Sequence, residues 1–298
     1  MTGRADSSNR LFDTMAIIGV GLIGGSLGMA ARRRGLVGRV IGVGRSEQKL
    51  MRAKILAAID DYTLEMGTGV SEADFIIICT PVRLVAPTLK AIAPFLKPGA
   101  IITDVGSTKR EIVEQCEAVT PDGCFFVGGH PMAGSERVGV DAAAHDLFVG
   151  ATYVVTNSAH TDLRSLGQVA EFAEAVGADI ELMTPEEHDA AVAIISHLPH
   201  AMSGALLQTA EAAQRVSGKT FNLAAGSFRD LTRVSASSPD IWRDICITNP
   251  DCIRDAIARF QAYLDKFKAA LDARDEDGIR RFFEQANEIR EAFVRIAK

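Results

Sequence analysis

Short apolar runs recur through the first part of the chain, separated by amphipathic stretches. Met15-Ala16-Ile17-Ile18, Arg39-Val40-Ile41-Gly42-Val43, Phe75-Ile76-Ile77-Ile78-Cys79 and Ala100-Ile101-Ile102-Thr103-Asp104 each read as a strand. So do Cys124-Phe125-Phe126-Val127, Tyr153-Val154-Val155-Thr156 and Asp179-Ile180-Glu181-Leu182. Runs of four or five residues bounded by turn residues suit buried strands. Helical patterns lie between most of them, and that alternation predicts an α/β fold: a doubly wound, mostly parallel sheet with helices on both faces. After Thr184-Pro185 no strand pattern follows. Thr184 and Glu187 have capping-box spacing with Pro185 at the first helical position. Ile253, Ile257, Phe260, Leu264, Phe267 and Leu271 recur at helical spacing, as do Phe282, Ala286, Ile289 and Phe293. Such stripes predict core or subunit interface.

The first strand leads into Gly19-Val20-Gly21-Leu22-Ile23-Gly24 and then a helical pattern. This is the dinucleotide fingerprint in its strand-turn-helix setting. Gly19 permits the tight turn, Gly21 lets a pyrophosphate approach, and Gly24 lets the helix lie close to the strand. The helix read over Gly25 to Arg33 has its N-terminus toward the phosphate charge, and Leu22 and Ile23 of the fingerprint are expected to contact the cofactor. The predicted organisation is a flexible tail over 1–14, a Rossmann-type dinucleotide-binding domain over 15–183, and an all-helical domain over 184–298.

Ligands bind beyond the carboxyl ends of strands in an open parallel sheet. Three polar clusters lie at such ends: Thr80-Pro81, the stretch from Asp104 to Lys109, and His130 in Gly128-Gly129-His130-Pro131-Met132-Ala133-Gly134-Ser135. Thr80 and Pro81 are expected beside the cofactor. Pro131 biases His130 toward an extended conformation, and a fixed histidine suits proton exchange near neutral pH. Ser107 has two readings, a cap for the following helix or a hydroxyl facing substrate. Lys109 reads as a solvated helix residue.

The helical half carries His188, Asp189, His197 and His200 on one helix. At about 100° per residue, Asp189, Ser196 and His200 share a stripe, with His197 about 60° away. Pro199 predicts a kink or break. The Asp189 to His200 separation is too long for one metal, and HExxH is absent, so no metal is expected. Arg229 and Arg233 stand at i and i+4, and arginine forks grip carboxylates. The alternative is that Arg229 pairs with Asp230 or Asp189. Trp242, the sole tryptophan, is either core or the lid of a pocket.

Composition narrows the partners. The formal net charge of −6 argues against nucleic acid and anionic membranes. No run approaches the ~20 apolar residues of a membrane span, and Met1 to Thr14 lack the apolar stretch of a signal peptide. The five cysteines show no zinc spacing and read as thiols in a reducing cytoplasm.

Together GVGLIGGSL, DVGSTK, GGHPMAGSE, SHLPH and FRDLTR followed by tryptophan resemble the prephenate/arogenate (cyclohexadienyl) dehydrogenase family of tyrosine biosynthesis, in order from Met15 to about Trp242. The resemblance implies a homodimeric oxidoreductase acting on a small molecule, with hydride transfer from prephenate or arogenate to NAD(P) and loss of CO2. It also implies roles. His130 would accept the hydroxyl proton and Ser107 would orient that hydroxyl. His200, with His197 nearby, would belong to the substrate pocket, and Arg233 would hold a carboxylate. Asp189 and Trp242 would gate the pocket, and Gly226 would leave space beside the substrate. An acidic residue usually closes the second strand and binds the ribose; here Gly44-Arg45-Ser46 stands there. Arg45 and Ser46 favour a 2′-phosphate, hence NADP, with NAD use left open. Two rivals remain: a β-hydroxyacid dehydrogenase, which needs a lysine in the helical half where Lys219 lacks a supporting motif, and a non-catalytic nicotinamide-sensing regulator, which would not need His130, Ser107 and Arg233 together.

Overall fold

The seven apolar runs and one short further strand form an eight-stranded sheet. The computed structural model describes residues 10–134 and 137–296. Ser135 and Glu136, which close the histidine motif, lie outside the described residues, as does the expected tail up to residue 9.

The strands are β1 (Phe12–Ile18), β2 (Val37–Val43), β3 (Asp61–Thr63), β4 (Phe75–Ile78), β5 (Ile101–Asp104), β6 (Phe125–Pro131), β7 (Thr152–Thr156) and β8 (Asp179–Met183). Their order is β3-β2-β1-β4-β5-β6-β7-β8. Among the described residues only β6 and β7 pair antiparallel, with His130 opposite Val154. The helices of this part are α1 (Leu22–Arg33), α2 (Glu47–Ile55), α3 (Met66–Val70), α4 (Val85–Ile92), α5 (Arg110–Glu117) and α6 (Leu163–Ala175). Side chains alternate across the sheet, and each face has its own cover. Met15, Ile17, Phe75, Ile77 and Val155 pack with Leu27 of α1 and Phe172 of α6. Ala16, Ile18, Ile76, Ile78 and Ile102 pack with Leu89 of α4 and Ile112 and Val113 of α5. Two covered faces explain the unbroken apolar runs.

The chain is ordered earlier than the expected tail allows. Phe12 is buried in β1 and stacks on Phe75 at 4.4 Å, and the Asp13 and Thr14 N–H groups donate to the Asp74 carboxylate. Burying one aromatic ring is enough to extend the strand by three residues.

Beyond β8 the elements are helical: α7 (Pro185–Val192), a π-helical turn (Ala193–His197), α8 (Leu198–Ser217), α9 (Gly226–Thr232) and α10 (Pro239–Thr248). The Thr184–Glu187 capping box forms as expected. Of the kink or break expected at Pro199, the helix shows no break but a π-helical turn just before it. Proline lacks an N–H and crowds the carbonyl four residues back; the wider π turn just before α8 accommodates it. Pro185–Ser217 is thus one continuous helix, long and apolar enough by length and composition alone to cross a membrane. That corrects the expectation that no such run exists, which counted unbroken apolar residues rather than mean hydropathy.

Backbone contacts divide the chain into one compact unit ending at Asn249 and a second beginning at Pro250. The second unit consists of α11 (Pro250–Asp272) and α12 (Glu276–Ile296). Phe267 meets Phe282 and Phe283 between them at 4.7 and 5.6 Å. Leu264, Leu271, Ile289 and Phe293 of the predicted stripes remain exposed.

Candidate active site

The fingerprint glycines have three different neighbourhoods. Gly19 adopts φ +97°, and a Cβ there would stand 2.6 Å from the Cys79 carbonyl oxygen. At Gly24 it would stand 2.5 Å from Gly19 O and 2.9 Å from Ile17 Cγ2, so only glycine lets α1 approach β1. At Gly21 it would meet nothing, which leaves the N-terminus of α1 open. The N–H groups of Leu22, Ile23 and Gly24 have no intrahelical acceptor. A cavity of about 1200 Å³ lies here, lined by Gly19, Gly21, Arg45, Ser46, Lys49, Arg52, Thr80, Pro81 and Asp141 among others. Thr80 Oγ1 is buried at its wall without a hydrogen-bond partner among the described residues. An open helix N-terminus and an orphaned hydroxyl at the β1/β4 switch point fit a dinucleotide. Leu22 and Ile23, expected at the cofactor, do not line the cavity. Ser46 caps α2, accepting from the Lys49 N–H. Arg52 pairs with Asp141 at 2.7 Å.

Further along the same sheet, the ends of β5 and β6 are tied by a buried ion pair. Lys109 and Asp104 are 0% exposed, with Nζ to Oδ2 at 2.5 Å. Lys109 Nζ also donates to Gly129 O, and Asp104 accepts the N–H groups of Gly106 and Gly129. Both atoms of the Gly129 peptide flank are therefore gripped one residue before His130. The solvated role expected of Lys109 is wrong, because the loop after β5 turns the side chain back under β6.

His130 sits within β6, one residue from its end. Its Nδ1 lies 2.8 Å from His188 Nε2. His188 Nδ1 lies 2.8 Å from Asp189 Oδ1. Burial first, then His188, Lys109 and His197, hold the His130 imidazole well below its ordinary value. Burial also depresses His188, against the opposing pull of Asp189. Asp189 accepts the Lys109 N–H at 2.7 Å and the Arg110 N–H at 3.1 Å. It thus caps α5 from 80 residues away, one of the two roles read for Ser107. Ser107 lies half-buried on the loop between β5 and α5.

A second cluster forms around Trp242 on α10. His200 stacks on its ring at 3.6 Å, and His197 meets it edge-on at 6.0 Å. His200 Nδ1 donates to Ser196 O, leaving Nε2 as the other ring nitrogen. His197 is 3% exposed, and burial, then His188 and His200, lower it to about 4 despite Asp189.

A family model described as prephenate dehydrogenase, nucleotide-binding domain, matches residues 27–182, and one described as prephenate dehydrogenase, dimerization domain, matches 184–285. The chain belongs to the prephenate dehydrogenase family. It is 36% identical to a prephenate dehydrogenase of Bacillus subtilis over 95% of this chain and 76% of that protein. The structure of an Aquifex aeolicus prephenate dehydrogenase with hydroxyphenyl propionate and NAD+ superposes with a TM-score of 0.89 at 31% identity, covering 94% of this chain and 98% of the other. A Synechocystis arogenate dehydrogenase structure matches at 0.84 and 33% identity, covering 94% and 99%.

Of the residues that the prephenate dehydrogenase resemblance assigns, the structure groups His197, His200 and Trp242. It does not pair Asp189 with Trp242. Asp189 spends its carboxylate on α5 and His188, because the π turn changes the helix phase between Asp189 and His200. Arg233 is exposed and forms no ion pair among the described residues. It opens a 3₁₀ turn directly after α9, so α9 ends before the second arginine of the pair. Neither Asp230 nor Asp189 pairs with Arg229 among the described residues. Gly226 starts α9, and a Cβ there would meet only open space. The residues missed by the sequence were Lys109, Asp104 and His188. Two charges and an imidazole next to assigned motifs were visible, but not their direction.

Proposed function

We propose that this protein is an NAD(P)-dependent dehydrogenase that oxidatively decarboxylates prephenate or arogenate, giving 4-hydroxyphenylpyruvate or tyrosine. The observation that carries the reading is His130, held near the end of β6 by the Gly129 clamp and by His188, in the same sheet as the β1 and β4 ends that wall the cavity fitting a dinucleotide. The bound nicotinamide supplies the hydride acceptor. Gly19, Gly21 and the first N–H groups of α1 would hold the pyrophosphate, and Thr80 and Pro81 would border the nicotinamide end. His130, uncharged at neutral pH because it is buried, takes the proton from the substrate hydroxyl, with Ser107 on the neighbouring loop orienting that hydroxyl. Departure of CO2 leaves an aromatic ring, which makes the step effectively irreversible.

Arg233, exposed and without an ion-pair partner among the described residues, offers a guanidinium suited to a substrate carboxylate. Of the two pocket histidines, His200 is the accessible one, and its Nε2 is the group offered to substrate; His197 lies behind it. Gly226 leaves room beside them. Asp189 is assigned to support rather than to gating. NADP is the favoured cofactor, since β2 ends without a carboxylate while Arg45, Ser46, Lys49 and Arg52 line the cavity. We place the division between nucleotide-binding and helical domains near Met183. The exposed Leu264, Leu271, Ile289 and Phe293 support a homodimer.

Turnover of prephenate and arogenate with NADP and with NAD, followed by reduced-nicotinamide absorbance, tests the reading. His130→Asn should lower kcat by the ~10²–10⁴-fold of a positioned base while cofactor binding persists. No turnover of either substrate sinks the reading; wild-type turnover in His130→Asn makes the histidine a loop residue.

A further inference from the structure

His188 and Asp189 are each 1% exposed, so water does not compete for their polar atoms, and the placement of protons along Asp189, His188 and His130 follows from counting donors and acceptors. An ionised carboxylate only accepts. Asp189 already accepts two backbone N–H groups, so the His188 Nδ1 facing it carries a proton. A neutral imidazole has one N–H, and burial keeps His188 neutral. His188 Nε2 is then a lone pair and accepts from His130 Nδ1. The single N–H of neutral His130 is thereby committed to Nδ1, and its Nε2 is a lone pair.

We propose that His188 and Asp189 are positioning residues for His130: they lock it in the Nδ1–H tautomer that offers Nε2 as proton acceptor, and His188 takes over the Nδ1 proton when His130 becomes charged. This rests on the reading of His130 as the base. The substrate O–H bond breaks and a His130 Nε2–H bond forms. The His130 Nδ1–H bond then breaks and a His188 Nε2–H bond forms. His188 ends as an imidazolium against the Asp189 carboxylate, and His130 is neutral with its proton on Nε2. The surrounding charges favour that direction. Lys109 and His197 oppose a cation on His130, whereas Asp189 and Asp104 favour one on His188 against burial and Lys109. The second histidine thus places the developing charge beside the Asp189 carboxylate, 2.8 Å from His188 Nδ1.

Histidine-selective ¹⁵N NMR of the ligand-free protein reads the tautomers directly. A protonated Nδ1 and a bare Nε2 are expected at both His130 and His188. Two substitutions separate positioning from packing. His188→Leu cannot accept from His130, so the tautomer preference should disappear and kcat should fall by ~10²–10⁴-fold, with the cofactor Kd unchanged. His188→Gln can donate to Asp189 and accept from His130. It should restore the tautomer and most of kcat, yet it cannot hold a proton, so the acid limb of the kcat profile should move to lower pH. A proton found on His130 Nε2 in the wild type overturns the proposal. So does wild-type kcat in His188→Leu, or equal loss in both variants together with the thermal midpoint, which would make His188 a packing residue. If the wild type turns over neither substrate while the NMR shows the expected tautomers, the functional reading fails and the locked row of side chains stands.

Discussion

Replacing Lys109 with methionine removes one partner of an ion pair whose members are both fully buried. Asp104 keeps its contacts to the Gly106 and Gly129 N–H groups, but its charge is left without a cation, and Gly129 O loses a donor. Breaking a buried pair from one side costs roughly 3–5 kcal/mol, a large share of the ~5–15 kcal/mol that holds a typical domain folded. Asp104→Asn strands the cation instead, and its cost should be similar. The double variant strands neither charge. It should therefore be more stable than the sum of the two losses by about 2 kcal/mol, within the coupling range of groups in contact. Urea unfolding followed by fluorescence of Trp242, the only tryptophan, measures all four proteins. Because Gly129 immediately precedes His130, kcat should also fall in Lys109→Met while the cofactor Kd holds. Additive losses, or a Lys109→Met cost below about 1 kcal/mol, the level of an exposed pair, would refute the argument that this clamp is dry and coupled.

Three further outcomes are expected. Arg233→Ala should raise the substrate KM by about 30-fold or more, from the ~2–5 kcal/mol of a desolvated charge pair, with the lysine variant recovering only part. Its thermal midpoint should not move, since Arg233 has no ion-pair partner among the described residues; an unchanged KM shifts the role to Arg229. Arg45→Ala should cost about tenfold or more in kcat/KM with NADP, the scale of a charged hydrogen bond, and leave NAD use nearly unchanged; a wild-type enzyme that prefers NAD contradicts this. His197 has its folded value lowered from 6.5 to about 4, so the unfolded chain binds the extra proton between those limits. Stability is fully present above pH 6.5 and is lost as pH falls toward 4, by about 3 kcal/mol in total. His197→Leu should flatten that limb in urea titrations at several pH values, and an unaltered limb would assign the acid sensitivity elsewhere.

The strands were legible because both sheet faces are covered, which writes unbroken apolar runs into β1, β2, β4, β5 and β6. β3 was not, because Asp61, Tyr62 and Thr63 form a short, half-buried edge with no such run. The fingerprint was legible because each glycine answers a local backbone requirement. Lys109, His188 and Asp189 were misread or passed over because the partners that set their direction, Gly129 O for Lys109, His130 for His188 and the Lys109 N–H for Asp189, stand 20 to 80 residues away in sequence. No local pattern tells a lysine that folds under a strand from one that faces water. The histidine of β6 was readable because its flanking glycines and proline are adjacent to it. The helix phase after Val192 was not, since a π turn leaves no clear mark on hydrophobic spacing.

That turn also sets how the long helix divides its labour. A π turn adds one residue to the helical path, which advances every later side chain by roughly 100°. Before it, His188 and Asp189 face β6 and the start of α5; after it, His197 and His200 face Trp242. The helix therefore behaves as a shaft carrying two keys cut at different angles. Deleting one residue between Ala193 and Ser196 would let the segment relax to a regular α-helix and remain well folded up to Val192. It would rotate His200 away from Trp242 while His188 and Asp189 stayed seated. A protein altered in this way would keep its cofactor affinity and the clamp at Gly129, yet lose the alignment between the His130–His188 pair and the Trp242 cluster.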